Sequence, residues 1–322
     1  MTVFVGVDLG GTQIRAVLAD EAGTILNRQS TLTLAREGRD AVLQRICAVV
    51  RDTFAGYEPA ALGVGAPGPT DPYRGLVLMT PNLPGWRNVE LSHHLAGEFG
   101  VPAFVGNDAN LAGLAEHRYG AGVGCPHMIY ITVSTGIGTG VIIGNRMLLG
   151  RQGLAAEIGH ITLDLQAEED DPAAIGTLEG LASGPNIARR ARAALRRGAA
   201  SAVTELADGN VDAVTPELLN RAAHAGDAFA VEQFRITGRY LGVGITNMLH
   251  TFNPERIVIG GSVWLHCREL LEESMWETIR ARAESPAYWQ ELTIVSAALG
   301  EDAGLLGAVA LAMDGLHGKR EA

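Results

Sequence analysis

The sequence predicts an α/β protein built from two similar halves that face each other across a ligand-binding cleft. A β-rich run with a tight glycine turn opens the chain, and a comparable strand, turn and strand pattern returns near residue 128. Each of these is followed by helical segments that alternate with single strands. Repetition of one α/β pattern within 322 residues indicates two related modules, and clefts between modules are where small ligands bind.

The first half begins with three predicted strands joined by turns, TVFVGVDLG, QIRAVLAD and TILNRQ. Apolar residues at helical spacing follow over 38–54, and a short buried strand runs into a Pro/Gly loop over 59–69. Residues 88–100 have the pattern of an amphipathic helix ended by Gly100, and 101–108 are a further strand.

The second half repeats this order. Residues 126–150 read as strand, glycine turn, strand, turn and strand. Predicted helices and strands then alternate: helices at about 178–197 and 216–252, a strand at 255–263, a helix at 264–283, a strand at 292–299 and a helix at 302–313. We place the boundary where EHRYGAGVG ends a helix in glycines, with the last helix crossing back. This predicts a small domain of 1–117 plus 302–322 and a large domain of 118–301.

Composition excludes several classes of protein. The formal net charge of −11 disfavours binding to nucleic acid or to an anionic membrane, because both need a basic surface. No apolar run is long enough to span a bilayer, and the first residues lack the features of a signal peptide, so we expect a cytoplasmic protein. Three scattered cysteines fit a reducing compartment without disulfides.

The segment DLGGTQIR, residues 8–15, predicts a phosphate-binding turn. Gly10 and Gly11 let backbone N–H groups face an anion, and Thr12 adds a hydroxyl. Asp8 supplies a carboxylate of the kind that Mg²⁺ binds beside phosphate oxygens. A plain hairpin turn seldom needs this combination of residues.

A second glycine turn, STGIGTG at 134–140, occupies the equivalent place in the second half, so the two turns together predict a two-sided phosphate clamp. Neither is a P-loop. GVGAPG at 63–68 matches a dinucleotide-binding pattern by chance, because Pro67 and Pro69 prevent the helix that this fingerprint requires.

Polar residues near strand ends are candidates for substrate binding. Asp108 follows a strand and precedes a helix, and this segment alone supports a helix cap and a general base equally. Asn82 in PNLPGW can donate and accept hydrogen bonds to a sugar, although an ordinary turn over a packed Trp86 explains that segment better by itself.

Glu157 and His160, three residues apart, suit either a metal or a polar ligand, but a structural zinc site needs four ligands and no cysteine lies nearby. Gly260, Gly261 and Gly304 mark two strand-to-helix junctions that accept a flat ring or ribose against the backbone, or that allow close helix packing.

Taken together, the motifs resemble the ROK family of bacterial sugar kinases and related repressors. The resemblance covers essentially the whole chain and rests on the order and spacing of eight segments: DLGGTQIR, GAPGP, NLPGW, GNDAN, STGIGTG, EIGH, LEGLASG and GEDAGLLGA. It implies the duplicated actin-like ATPase fold, also called the RNase H-like or hexokinase-type fold, with ATP in the cleft.

The resemblance also implies roles for individual residues. Asp8 would organise Mg²⁺ indirectly, and Asp108 would be the general base on the sugar hydroxyl. The phosphates would be bound by Gly10, Gly11, Thr12, Thr135 and Gly136. The sugar would be bound by Gly65, Asn82, Asn107, Glu157, His160 and Glu179. The adenosine would lie near Gly260, Gly261 and Gly304.

The chain departs from the family at one place. Many members bind zinc through the histidine of the GH motif and three cysteines, and the corresponding positions here fall at about Asp170, Pro172 and Thr177. These residues cannot build a thiolate site, so we predict that structural zinc is absent. Packing, backbone hydrogen bonds or a partner subunit would then have to order the loop.

The implied activity is ATP-dependent phosphorylation of a hexose, in the first place of glucose to glucose 6-phosphate. N-acetylmannosamine kinase, N-acetylglucosamine kinase and fructokinase are the alternatives, and polyphosphate is an alternative donor. A sugar-responsive repressor would carry a helix-turn-helix domain before the DLGGT strand, for which we expect no room. A non-catalytic sugar sensor is disfavoured by Asp108, and the resemblance implies a homodimer.

Overall fold

The computed structural model describes residues 1–80, 82–167 and 175–318. The chain divides into two compact units: unit 1 comprises 1–130, 140–156 and 297–322, and unit 2 comprises 131–139 and 157–296. The predicted small domain, 1–117 with 302–322, falls within unit 1, which also takes in residues assigned to the large domain from sequence. The predicted domain boundaries remain a prediction.

Unit 1 contains a five-stranded sheet in the order β3-β2-β1-β4-β8. The first three strands are antiparallel, which confirms the predicted meander, and β4 and β8 add in parallel. The strands are β1 (Val3–Leu9), β2 (Gln13–Asp20), β3 (Ile25–Leu32), β4 (Leu62–Ala66) and β8 (Ala103–Asn107). Parallel ordering of β1, β4 and β8 brings their carboxyl ends to one edge of the sheet.

The helices of unit 1 are α1 (Arg39–Thr53), α2 (Leu91–Phe99), α3 (Asp108–Tyr119) and α10 (Ala303–Leu316). One core cluster packs the odd residues of β1 against α1, and another packs Phe4 against Leu305 and Val309 of α10. The alternation of side chains along β1 therefore serves two helical layers, one on each face.

Helix α10 lies unusually close to its neighbours. A Cβ placed on Gly6 of β1 would come within 2.3 Å of the Leu305 carbonyl oxygen, and one on Gly63 of β4 within 1.9 Å of the Ala308 carbonyl oxygen. A Cβ on Gly307 would lie 1.9 Å from the Leu111 carbonyl oxygen in α3. Side chains at these three positions would force the helix away from the sheet and from α3.

A small antiparallel sheet, β5 (Thr70–Asp71), β6 (Leu76–Met79) and β7 (Arg87–Val89), also belongs to unit 1. The sequence did not predict it, since its strands are two to four residues long and are separated by Pro/Gly turns. Helix α2 starts at Leu91 instead of at Asn88, where the sequence placed it, because 87–89 pair as β7.

The second five-stranded sheet has the order β11-β10-β9-β12-β13, and the division between the units passes through β9 and β10. Its strands are β9 (Met128–Val133), β10 (Ile137–Ile143), β11 (Arg146–Met147), β12 (Arg256–Gly260) and β13 (Thr293–Ser296). The second predicted meander is thereby confirmed.

Unit 2 carries the helices α4 (Leu178–Ala182), α5 (Gly184–Arg196), α6 (Val203–Leu206), α7 (Pro216–His224), α8 (Ala228–Phe252) and α9 (Ser262–Arg282). No helix in the described part of the chain is long and apolar enough to cross a lipid bilayer.

The two long helices predicted at 178–197 and 216–252 are each interrupted, so that expectation is wrong. Ser183 adopts an extended conformation between α4 and α5, and Pro185, in the first turn of α5, has no N–H to continue the α4 hydrogen bonds. Gly226, with φ of 89°, follows α7, and the Asp227 side chain caps α8 by accepting from the Ala230 N–H.

Candidate functional site

In unit 1, the turn between β1 and β2 is a closed hairpin. The Gly10 N–H donates to the Gln13 carbonyl at 2.9 Å, and Thr33 bonds the turn from the side, with its N–H donating to Thr12 and its hydroxyl to Gly10. The carbonyl oxygens of Gly10 and Thr12 both accept hydrogen bonds from Thr33. Their partial negative charge is therefore screened from an approaching anion. Thr12 itself is exposed.

Asp8, at the end of β1, is paired with Arg15 on β2. Its Oδ2 accepts from Arg15 Nη2 at 2.6 Å and from Nε at 3.1 Å. Gly304, in the first turn of α10, lies on the other side: a Cβ there would be 3.5 Å from Asp8 Oδ1. The structure thus brings Gly304 together with the carboxylate that the sequence associates with Mg²⁺.

Asp108 is the first residue of α3, and the cap of that helix is Asn107. The Asn107 side-chain oxygen accepts from the N–H groups of Ala109 and Asn110, and its Nδ2 donates to the Gly68 carbonyl at 3.1 Å. Asp108 is exposed. Asn107 is thus the cap of α3, and Asp108 Oδ1 also accepts from the Ala109 N–H at 2.8 Å.

Two further residues of the predicted sugar set also lie in unit 1. A Cβ on Gly65 would be 3.9 Å from Asp108 Cα, so Gly65 is next to the start of α3. Asn82 is exposed, and a Cβ on Gly11 would be 2.9 Å from its Cβ. Leu83 and Trp86 are buried beneath Asn82, so its loop is both anchored in the core and set against the glycine turn.

In unit 2, the turn between β9 and β10 meets the amino-terminal ends of two helices. The Ser134 N–H donates to the Gly136 carbonyl at 2.9 Å, and the Ser134 carbonyl accepts from Gly184, the first residue of α5. The hydroxyls of Ser134 and Ser262, the first residue of α9, are 2.9 Å apart. Helix amino-termini carry partial positive charge, so this turn is suited to phosphate.

Glycine is required at position 261 of this junction, because the backbone of β9 approaches it too closely for a side chain to fit. Gly261 has φ of 87°, and a Cβ on it would lie 2.4 Å from the Val133 carbonyl oxygen. Gly260 is buried at the end of β12, and Thr135 is exposed at the tip of the turn. Gly260 and Gly261 therefore lie beside the second phosphate turn.

Glu179, in α4, is joined to that same turn. Its Oε2 accepts from the Ile137 N–H at 2.8 Å, and a Cβ on Gly136 would come within 2.6 Å of the same oxygen. The sequence associated Glu179 with the sugar alone. In the structure its carboxylate also determines where the second phosphate turn lies.

Glu157 immediately precedes a short 3-10 turn, Ile158–His160, of which His160 is the last residue, and both residues are exposed. The turn is pressed against β10, since a Cβ on Gly159 would be 2.1 Å from the Ile137 carbonyl oxygen. Among the residues described, the His160 ring has no hydrogen-bond partner. Its backbone N–H donates to the Glu157 carbonyl at 3.1 Å, which fixes the two residues relative to each other.

Backbone hydrogen bonds connect the His160 turn to α4. The Leu178 N–H donates to the Ile161 carbonyl at 3.0 Å, and the N–H groups of Leu163 and Asp164 donate to the Gly176 carbonyl. Thr162 and Thr177 form an isolated antiparallel bridge. This pairing aligns the segment after His160 with the segment before Glu179.

Thr177, at one of the positions corresponding to the family's zinc ligands, is the cap of α4, because its hydroxyl accepts from the Gly180 N–H at 3.1 Å. Asp170 and Pro172 lie outside the described residues. Within the described ranges, no three His, Cys, Asp or Glu side chains are grouped as a metal site would require. These residues do not fit a thiolate zinc centre, and the absence of zinc remains a prediction.

A buried arginine stabilises the carboxyl-terminal end of α4. Arg190 donates to the Leu181 carbonyl, the carbonyl that Pro185 cannot reach, and also to the Gln233 carbonyl and side chain and to Thr237. Burial lowers the pKa of Arg190 to about 10. The sequence analysis did not identify Arg190. Pro185 could have indicated it, because a proline at the start of a helix leaves the carbonyl of Leu181 without a backbone donor, so that another group has to donate to it.

A family model, described as the ROK family, matches residues 4–315. The chain belongs to the ROK family. A glucokinase from Thermotoga maritima is 34% identical over 314 residues, which cover 98% of each chain. The matched region includes every residue of the candidate site.

Solved structures agree with this assignment. A ROK family glucokinase from Streptomyces griseus, in complex with glucose and AMPPNP, is 34% identical with a TM-score of 0.77, over 97% of this ROK chain and 99% of that one. A ROK hexokinase from Thermus thermophilus is also 34% identical, with a TM-score of 0.83 over 98% and 100% of the two chains. The fold is thus the actin-like ATPase fold of ROK sugar kinases, as the sequence predicted.

Repressor relatives have lower sequence identity to this chain. A xylose repressor from Caldicellulosiruptor bescii is 28% identical over 95% of this chain and 77% of its own length.

Proposed function

We propose that this ROK protein is an ATP-dependent glucokinase, a sugar kinase that converts glucose to glucose 6-phosphate. Glucokinase relatives at 34% identity over nearly the full chain support this function. The structural observation that carries the proposal is the exposed carboxylate of Asp108, which lies next to Gly65 at a helix start whose capping is done by Asn107.

In this mechanism the reacting hydroxyl of glucose donates its proton to Asp108 as its oxygen attacks the γ-phosphorus, and the bond from the γ-phosphorus to the oxygen that bridges to the β-phosphate breaks, so that ADP leaves. Phosphoryl transfer depends mainly on positioning and on stabilisation of charge, with a carboxylate to accept the proton. The other hydroxyls would be held by the polar set that the family resemblance implies: Gly65, Asn82, Asn107, Glu157, His160 and Glu179. Carboxylates accept and amides do both, so such a set orients a polyol.

The Gly10–Thr12 turn would bind phosphate. Thr135 and Gly136 would do the same at the turn where the amino-termini of α5 and α9 add partial positive charge. Gly260 and Gly261 would accept adenosine. Gly304 lies beside Asp8 and leaves space next to its carboxylate, which a side chain at this position would crowd.

Magnesium would neutralise charge on the transferring phosphate when bound. Asp8 fits a role as its indirect ligand, because Arg15 engages Oδ2 and Gly304, which has no side chain, lies beside Oδ1. Arg15 holds the carboxylate in one orientation, which preorganises it for a hydrated ion.

A coupled assay with paired donors and sugars tests the proposal. We expect turnover of glucose with Mg-ATP, slower turnover of N-acetylmannosamine, N-acetylglucosamine and fructose, and none with polyphosphate. Asp108→Asn should lower kcat by at least 10²-fold with an unchanged unfolding transition. Absence of turnover with every sugar, or full activity in Asp108→Asn, would refute the mechanism.

We also propose a homodimer, to be checked by light scattering on the eluted protein. A monomer at micromolar concentration would contradict it.

A further inference from the structure

Unit 1 contains a completely buried carboxylate that the proposed mechanism does not use. Glu116, in the carboxyl-terminal part of α3, is 0% exposed. Within the ranges that the structure describes, it is the one acidic or basic residue that is buried. Burial of a charged group is costly unless hydrogen bonds compensate it, so the partners of Glu116 indicate its role.

In the described part of the chain, both oxygens of Glu116 accept hydrogen bonds from backbone N–H groups alone. Oε1 accepts from Ala298 and from Leu299, each at 2.9 Å. Oε2 accepts from Ala121, in the turn that follows α3, at 2.8 Å. Two successive N–H groups that converge on one anionic oxygen restrain the backbone that carries them. Glu116 therefore holds the chain at Ala298 and Leu299 against the end of α3.

From Leu299 the chain reaches the carboxylate of Asp8 within five residues. A 3-10 turn, Gly300–Asp302, follows Leu299, and the Asp302 N–H closes it by donating to the Leu299 carbonyl at 3.0 Å. Gly304, in the first turn of α10, comes next, and a Cβ there would be 3.5 Å from Asp8 Oδ1. Because the turn is closed, a shift of Leu299 moves Gly304 as well.

Two arginines of the sheet also contact segment 298–304. Arg28 Nη2 is 2.7 Å from Asp302 Oδ1, and Arg15 Nη1 is 4.0 Å from Glu301 Oε2. Both pairs are partly exposed to solvent, and pairs of this kind contribute little to stability. The buried hydrogen bonds of Glu116 are therefore the stronger restraint on where this segment lies.

The end of α3 leaves room for the Glu116 carboxylate because residue 120 is glycine. A Cβ on Gly120 would lie 2.1 Å from Glu116 Oε2 and 3.0 Å from Leu299 Cγ. The Gly120 N–H also donates to the Glu116 carbonyl at 3.1 Å. Any side chain at position 120 would displace either the carboxylate or Leu299.

We propose that Glu116 is a positioning residue for phosphoryl transfer: its carboxylate holds segment 298–304 so that Gly304 stays beside Asp8 and leaves space for the magnesium of Mg-ATP. This inference rests on the proposed function, in which Asp8 is the indirect ligand of magnesium. Because Glu116 is completely buried, it acts through Leu299 and Gly304 instead of by direct contact. Loss of its hydrogen bonds should weaken nucleotide binding with magnesium more than nucleotide binding without it.

Four variants of the full-length protein separate this role from general stability. Glu116→Met keeps a side chain of similar length but removes both oxygens. Gly120→Ala leaves Glu116 in the chain and displaces its carboxylate, so it serves if the first variant misfolds. Glu116→Gln keeps one oxygen, which can still accept from Ala298 and Leu299. Leu95→Ala, the control, removes a fully buried side chain in α2.

Hydrogen exchange followed by mass spectrometry tests whether Glu116 holds the segment. In Glu116→Met and in Gly120→Ala, the amides of Ala298 and Leu299 should exchange about tenfold faster than in the wild type, because their acceptor is lost or displaced. This measurement needs neither nucleotide nor turnover. Unchanged exchange in both variants would overturn the proposal.

Calorimetric titration with AMPPNP, in magnesium and in EDTA, tests the functional role. With magnesium, the Kd should rise about fivefold or more in Glu116→Met and Gly120→Ala, and about twofold or less in Glu116→Gln and Leu95→Ala. In EDTA, all the proteins should agree within about twofold. An equal loss with and without magnesium, or an equal loss in Leu95→Ala, would show a general structural effect and overturn the proposal. A Glu116→Gln protein as weak as Glu116→Met would also contradict it, since glutamine retains the acceptor.

A double-variant cycle tests the route through Gly304. Gly304→Ala places a Cβ 3.4 Å from Asp8 Cγ and should itself weaken binding of AMPPNP with magnesium. If Glu116 acts by moving Gly304, the effect of Glu116→Met should be about threefold or more smaller in that background. Effects that simply multiply would refute this route. Failure of the wild type to bind AMPPNP would refute the proposed function and with it the magnesium role, while hydrogen exchange would still decide whether Glu116 holds the segment.

Discussion

The carboxylate of Glu179 accepts a hydrogen bond from the backbone N–H of Ile137 at 2.8 Å. A residue proposed to hold the sugar is thereby attached to the turn proposed to hold phosphate, within one unit. The two substrates therefore share a structural element, and changes at Glu179 should affect both.

Glu179→Ala should raise the KM for glucose and the KM for ATP, each by about tenfold or more, because it removes a sugar acceptor and leaves the Ile137 N–H without its partner, at a cost of about 1–3 kcal/mol. Glu179→Gln keeps an oxygen for Ile137 but loses the charge, so its KM for ATP should stay closer to that of the wild type. Steady-state kinetics with each substrate varied will distinguish the variants. An ATP KM unaffected by Glu179→Ala would show that the bond is incidental.

Gly136→Ala should weaken ATP binding, since the added Cβ would lie 2.6 Å from Glu179 Oε2 and would push the turn or the carboxylate aside. The matched control is Gly97→Ala in α2, where a Cβ meets no atom within 4 Å. That control should leave kinetics unchanged and raise the free energy of unfolding by about 0.5–1 kcal/mol, because alanine restricts the unfolded chain and favours helix. Equal ATP KM values in both variants would count against the proposed turn.

Asn107→Ala should lower the free energy of unfolding by about 1–2 kcal/mol through loss of the α3 cap. Asn107→Asp retains the capping oxygen and loses only the donor to Gly68, so it should be less destabilising. Urea unfolding of both variants measures the difference. If Asp108→Ala destabilises the protein more than Asn107→Ala does, the cap has been assigned to the wrong residue.

Cys47 and Cys267 should resist alkylation in the folded protein. Burial raises the pKa of both thiols, that of Cys267 to about 12, and the thiolate is the reactive form. Iodoacetamide at pH 8, followed by mass spectrometry, should modify these two cysteines only after denaturant is added. Rapid labelling of Cys267 under native conditions would contradict its burial.

Stability should decrease as pH falls through about 6.5, the ordinary pKa of histidine. Burial lowers the pKa of folded His117, so below pH 6.5 the unfolded chain binds a proton that the folded chain does not, and unfolding is favoured. The slope of unfolding free energy against pH between 5 and 7 should be shallower in His117→Gln. Parallel curves for the two proteins would exclude His117 as the cause.

The repeated meanders, the order of helices and strands and the family were predictable, because they depend on local periodicity and on glycine turns that are visible in the sequence. The interruption of the predicted helix at Ser183 could also have been predicted, because Pro185 cannot donate the next helical hydrogen bond. The small sheet β5–β7 was not, since two-residue strands carry no periodic signal.

For the candidate site, the identities of polar residues were predictable but their mutual contacts were not. Nothing local to Glu179 indicates that Ile137, forty-two positions earlier, donates to it. Likewise, Gly304 was associated with adenosine from its junction, whereas tertiary packing brings it against Asp8. Such relationships arise from the packing of distant segments, for which a single sequence has no direct pattern.

The close packing of α10 against Gly6 of β1 and Gly63 of β4 has a consequence for biosynthesis. Ribosomes make β1, β4 and α3 more than 180 residues before α10, the helix that covers them. At about 5–20 residues per second, the apolar face around Phe4 and Val17 waits many seconds without its cover. Newly made chains should therefore depend on chaperones until residues 303–316 emerge, although every strand of the first sheet is already complete.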